Sequence, residues 1–101
     1  MTWVDATSAS LPDGTLVSVV HGSALVAVAR AAGEWLAVDG WCTHQECPLG
    51  DGWVEERALR CACHAALFDL ATGEALEGPA TEPVAVYRTR VNADRVEVEL
   101  P

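Results

Sequence analysis

Apolar and polar positions along this chain alternate with a period of two, the signature of strands. The clearest run is the last. Val96, Val98 and Leu100 fall on one face and Arg95, Glu97 and Glu99 on the other. Residues 23–30 are apolar on both faces, with Leu25, Ala27 and Ala29 opposite Ala24, Val26 and Val28, which predicts a strand covered on two sides. Ala31-Ala32-Gly33 then reads as a turn, with 34–38 as the hairpin partner. A strand over 16–20 is bounded by the turns Pro12-Asp13-Gly14 and His21-Gly22. Short strands follow at 58–60 and 67–70, and strands at 84–91 and 95–100 flank a turn at Asn92-Ala93-Asp94. No stretch shows a helical stripe of useful length, so the predicted class is all-β.

At 101 residues the chain is read as one domain, 1–101, with adequate but not generous burial. Half the residues are apolar, much of that half alanine and valine, so few large side chains are available for packing. No apolar run is long enough to span a bilayer, and the N-terminus has neither a basic nor an apolar leader region. The expectation is a cytoplasmic protein with no membrane partner. Fifteen acidic residues against six arginines give a net charge of −9, which argues against nucleic acid as a partner. The same charge suits transient docking on basic patches of other proteins, or simply solubility.

Chemistry concentrates in two Cys-His pairs, Cys42-Thr43-His44 and Cys61-Ala62-Cys63-His64, separated by sixteen residues. Two thiolates and two imidazoles can hold one zinc, or two irons asymmetrically with sulfur on one and nitrogen on the other. Zinc modules open more often on C-x2-4-C knuckles, which a C-x-H pair fits poorly. Each pair lies on a loop beyond a strand end, about 41–52 and 60–69, and each contributes one sulfur and one nitrogen.

The runs Cys42-Thr43-His44-Gln45-Glu46-Cys47-Pro48-Leu49-Gly50-Asp51-Gly52 and Cys61-Ala62-Cys63-His64-Ala65-Ala66-Leu67-Phe68-Asp69-Leu70-Ala71-Thr72-Gly73 resemble the two cluster-binding loops of Rieske proteins. In particular the chain resembles the Rieske-type ferredoxins of bacterial aromatic-ring-hydroxylating dioxygenase systems, of the biphenyl and carbazole type. The resemblance covers most of the chain from about Trp35 onwards. It implies a β-sandwich-like base bearing a small cluster-binding subdomain. It also implies one [2Fe–2S] cluster per chain, with Cys42 and Cys61 on one iron and His44 and His64 on the other, at the exit for the electron.

Other residues follow from the same resemblance. Cys47 and Cys63 match positions that form a disulfide in respiratory Rieske proteins, whereas many soluble members lack it. A bridge is the reading taken, with two buried thiols as the alternative. Gly78-Pro79-Ala80 resembles the proline loop that covers a third side of the cluster, or is an ordinary turn. Trp41 is either a shield beside a ligand or plain core, and Trp3, Trp35 and Trp53 are core or boundary residues. Gly50 and Gly52 are expected to shape the first loop through positive backbone angles. Glu46, Asp51, Glu55 and Glu56 form a candidate docking patch, and His21 is read as solvated.

The function implied is one-electron carriage, from an NAD(P)H-dependent ferredoxin reductase to a terminal oxygenase, by a monomer that docks transiently on each. Short of a second subunit, the chain is not itself an oxygenase. A mononuclear iron needs two further histidines and a carboxylate, and with His44 and His64 on the cluster only His21 remains. Alternatives are a Rieske subunit of another assembly, monooxygenase or nitrite-reductase-like, and a zinc-stapled binding module. In the respiratory family a serine and a tyrosine of the second loop donate hydrogen bonds to sulfur; here Ala66 and Phe68 stand in their places and cannot donate. A potential at the low end of the Rieske range is expected. Ala66→Ser should raise it, and protein-film voltammetry of the two proteins checks this.

Overall fold

The computed structural model describes residues 1–43 and 46–101. It is built of three antiparallel sheets. The first contains β1 (Thr2–Ser8), β10 (Thr89–Asn92) and β11 (Arg95–Leu100) in the order β1-β11-β10. The second contains β2 (Leu16–His21), β3 (Ala24–Ala31), β4 (Glu34–Asp39) and β9 (Val86–Tyr87), in that order. The third runs β5 (Trp53–Glu55), β6 (Ala58–Arg60), β7 (Leu67–Asp69) and β8 (Ala75–Glu77). Among the described residues the one helical turn is 3-10, Leu49–Asp51. None forms a helix long and apolar enough to cross a membrane.

The strand predicted to be apolar on both faces is β3, and its position explains the pattern. Val26 and Val28 pack with Trp35, Ala37, Val96, Val98 and Leu100 in a core shared with the first sheet. Ala27, Ala29 and Ala31 face the other way, into a core with Leu59, Phe68, Leu70, Cys42 and Cys61. The second sheet is therefore the middle layer, which is why β3 carries no polar face. Its alanine face lets the ligand-loop side approach closely. The β3–β4 hairpin closes through Ala32 and Gly33, both at positive φ, the geometry whose twist matches a two-residue connection.

β1, β5 and β8 lie outside the expected strands, and one expected strand is divided. Residues 84–91 do not make one strand: β9 pairs with β4 through Val38↔Val86 and Ala37↔Tyr87, and β10 then pairs with β11 through Thr89↔Val98. The chain changes sheet at Arg88, and the Thr89 hydroxyl donates to the Trp35 carbonyl at 2.6 Å beside the crossing. The N-terminal strand β1 pairs with β11 with a register shift between Asp5 and Thr7.

That edge is tied by Arg95, which donates to both oxygens of Asp5 at 2.8 and 2.7 Å. The hydrogen bond from Arg95 holds the Asp5 carboxyl below its ordinary value of 3.8. A group depressed in the folded state contributes stability above its unfolded pKa and loses it as pH falls through the folded one. Asp5→Asn is therefore expected to lower the urea midpoint modestly at about pH 7, the difference closing progressively below about pH 4. Paired urea titrations across that range check it.

Candidate metal centre

Each loop that carries a candidate Cys-His pair closes on itself before it meets the other. In the first, Leu49 N–H donates to the Gly40 carbonyl at 2.7 Å, Trp41 bridges to Pro48, and Cys42 N–H donates to the Cys47 carbonyl at 3.0 Å. The loop is a hairpin extension with Cys42 on one leg and Cys47 on the other. In the second, Cys61 N–H donates to the Ala66 carbonyl at 2.8 Å, and Ala65 N–H returns to the Cys61 carbonyl at 3.0 Å. This tight reversal joins β6 to β7 and presents Cys63 and His64 at its exposed crest.

A disulfide between Cys47 and Cys63 locks the two loops together, with Cα atoms 6.4 Å apart. The bridge reading therefore holds over two free thiols. The Cys61 sulfur lies beside it, so that the sulfurs of Cys47, Cys61 and Cys63 are all within 4.8 Å of one another. Cys42 and Cys61 keep free thiols, buried at 6% and 1% exposure in the core beneath the loops. His44 lies outside the described residues, as does Gln45. A third segment approaches from the far side: Gly78–Pro79 is a cis peptide, Ala80 is buried, and the Thr43 hydroxyl donates to the Glu82 carbonyl at 2.7 Å.

Several expectations are corrected here. Neither Gly50 nor Gly52 has a positive φ; Gly52 sits at −87°. They are required by close approach, because a Cβ at Gly50 would strike the Ser18 hydroxyl and one at Gly52 the Arg60 carbonyl. Trp41 is 42% exposed, so it is not core, and Trp53 is exposed as well. Glu55 is no free docking acid. It takes hydrogen bonds from Arg60, and then from Trp53 Nε1, which together hold its carboxyl at about 2. His21 is exposed, as read.

Sequence reasoning missed Arg60. From β6 its guanidinium grips both oxygens of Glu55 at 2.8 and 2.9 Å, Glu77 at 3.1 Å and the Ala65 carbonyl at 2.8 Å. The one available signal was an arginine directly before Cys61 in a chain so poor in cations.

The family model described as the Rieske [2Fe-2S] domain matches residues 2–88. The ferredoxin component of a naphthalene 1,2-dioxygenase system from Pseudomonas aeruginosa is 32% identical over 99 residues, covering 97% of this chain and 95% of the relative. The Sphingomonas yanoikuyae B1 ferredoxin superposes with a TM-score of 0.89 at 29% identity, covering 99% of this chain and 100% of that one. A structure of reduced oxygenase in complex with oxidised ferredoxin, from carbazole 1,9a-dioxygenase, gives a TM-score of 0.90 at 30% identity. It covers 95% of this chain and 91% of that one.

A Rieske [2Fe–2S] cluster takes two thiolates and two imidazoles. The donor chemistry fits. With Cys47 and Cys63 bridged, two buried thiols remain, one beneath each loop, and His64 stands exposed at the crest of the second. The bridge closes a span of 16 residues, so Cys63→Ser should cost about 3 kcal/mol of stability through freedom regained by the unfolded chain. Guanidinium unfolding of both proteins should show that difference under oxidising conditions and lose it in excess dithiothreitol.

Proposed function

This chain belongs to the Rieske [2Fe–2S] domain family, and from that premise we propose that it is the one-electron carrier of an aromatic-ring-hydroxylating dioxygenase system. It takes electrons from an NAD(P)H-dependent reductase and delivers them to a terminal oxygenase. The observation that carries this reading is the pairing of two buried thiols with a bridged loop pair, on a fold shared over nearly its whole length with ferredoxins of carbazole 1,9a-dioxygenase. The whole chain, 1–101, is taken as one such domain. Cys42, His44, Cys61 and His64 are the proposed ligands, the cysteines on the inner iron and the histidines on the outer one.

The cluster supplies a site that accepts and releases one electron at a time. The protein does the rest. The cores beneath the loops bury Cys42 and Cys61 and keep water from the thiol side. His64 lies on the exposed crest, so its ring edge is where a partner can approach. Around the tip, Glu46, Asp51 and Glu82 are exposed, and the chain carries −9 overall. Such a surface steers a weak, fast encounter with a basic patch and is screened by salt. We take the working form to be a cytoplasmic monomer that docks on reductase and oxygenase in turn.

Reconstitution tests the reading: reductase, this protein and a ring-hydroxylating oxygenase are mixed with NADH, and product is measured. Product formation should depend on this protein and slow with added salt. Turnover unchanged when it is omitted, or reduced protein that no oxygenase reoxidises, contradicts the assignment. Replacing a neutral imidazole by a thiolate adds negative charge beside the irons. His64→Cys should therefore lower the potential by on the order of 100 mV, towards the all-cysteine range. Voltammetry that finds no change removes His64 from the ligand set.

A further inference from the structure

The second ligand loop makes its reversal without the residue best suited to it. Ala65, directly after His64, has φ +62°. This left-handed conformation is one that glycine adopts freely and alanine resists. A strained turn of this kind persists where its surroundings hold it. Here the holding contacts are visible. Ala65 N–H donates to the Cys61 carbonyl at 3.0 Å, and the Ala65 carbonyl receives Arg60 Nη1 at 2.8 Å. Both polar groups of the left-handed residue are thus fixed, one by the loop itself and one by Arg60.

Arg60 is itself immobilised. Its Nε and Nη2 take the two oxygens of Glu55, and Nη1 also reaches Glu77. Glu55 is in turn held by Trp53 Nε1 at 2.7 Å. The Arg60 side chain is 17% exposed, and the partners of its guanidinium come from β5, β8 and the loop. A planar fork with several donors can serve three directions at once; an ammonium cannot reproduce that geometry.

We propose that Arg60 is the positioning residue of this centre: its guanidinium clamps Ala65 in the left-handed turn and so fixes the orientation in which the loop presents His64. The inference rests on the assignment of Cys61 and His64 as cluster ligands. Arg60 acts through the backbone between the proposed ligand and β7.

The test compares Arg60→Met, Arg60→Lys and the double variant Arg60→Met with Ala65→Gly, all in the cluster-loaded full chain. Arg60→Met should broaden the EPR signal of the reduced protein, as a loosened histidine samples more orientations. It should also speed cluster loss, followed by visible absorbance, by about tenfold. Arg60→Lys keeps the charge and loses the fork, and should behave like Arg60→Met. Ala65→Gly removes the strain and should restore both line shape and cluster lifetime. Arg95→Met breaks a comparable two-pronged pair, with Asp5, far from the loop. It should lower the melting temperature and leave the EPR line unchanged.

An Arg60→Met signal identical to wild type, with only a lower melting temperature, overturns the proposal. If Arg60→Met loads no cluster, a loaded double variant supports the clamp and an unloaded one overturns it. A wild-type protein that gives no reduced signal at all fails the functional reading, which separates that failure from this one.

Discussion

Two short loops from different hairpins must be held against each other at one end of the molecule, and the Cys47–Cys63 bridge is the covalent bond that does it. Each loop is first closed by its own backbone, Cys42 to Cys47 in one and Cys61 to Ala66 in the other. The bridge therefore joins two preformed turns, not two floppy segments. The buried thiols of Cys42 and Cys61 follow from this arrangement, because each sits at the base of its loop, where the alanine face of β3 lets the core come close. Three layers make that possible: one sheet to carry the loops, one middle sheet apolar on both faces, and one to cover its other side.

Charge is handled in two ways. No polar or charged residue is fully buried among the described residues, so the cores are apolar. Acidic groups stay at the surface, and those nearest the loops divide by role. Glu55 and Glu77 are tied to Arg60, a structural network behind the second loop. Glu46, Asp51 and Glu82 stay exposed.

The sequence announced some of this and concealed the rest. Val96, Val98 and Leu100 could be read because β11 buries one face and wets the other. β3 could be read because a strand covered twice has no polar face to interrupt its run. The split at Arg88 could not, since no glycine or proline marks it and the change of sheet depends on partners distant in sequence. The two Cys-His pairs were visible as spacing, while the bridge between Cys47 and Cys63 came only from resemblance. Gly50 and Gly52 were rightly singled out for the wrong reason: what forbids a side chain there is a neighbour, Ser18 or the Arg60 carbonyl, not a dihedral angle. Arg60 was marked only by its place before Cys61, because its hydrogen bonds to Glu55, Glu77 and the Ala65 carbonyl depend on strand pairing and loop closure that the folded chain brings together.

The most direct measurement is the EPR spectrum of the purified protein before and after dithionite, with iron, sulfide and zinc quantified on the same sample. A silent oxidised state, a rhombic reduced signal of low average g, and iron with sulfide in the ratio of one [2Fe–2S] cluster per chain are the expected result. Zinc without sulfide, and no signal on reduction, would contradict an electron carrier and leave a metal-stapled binding domain in its place.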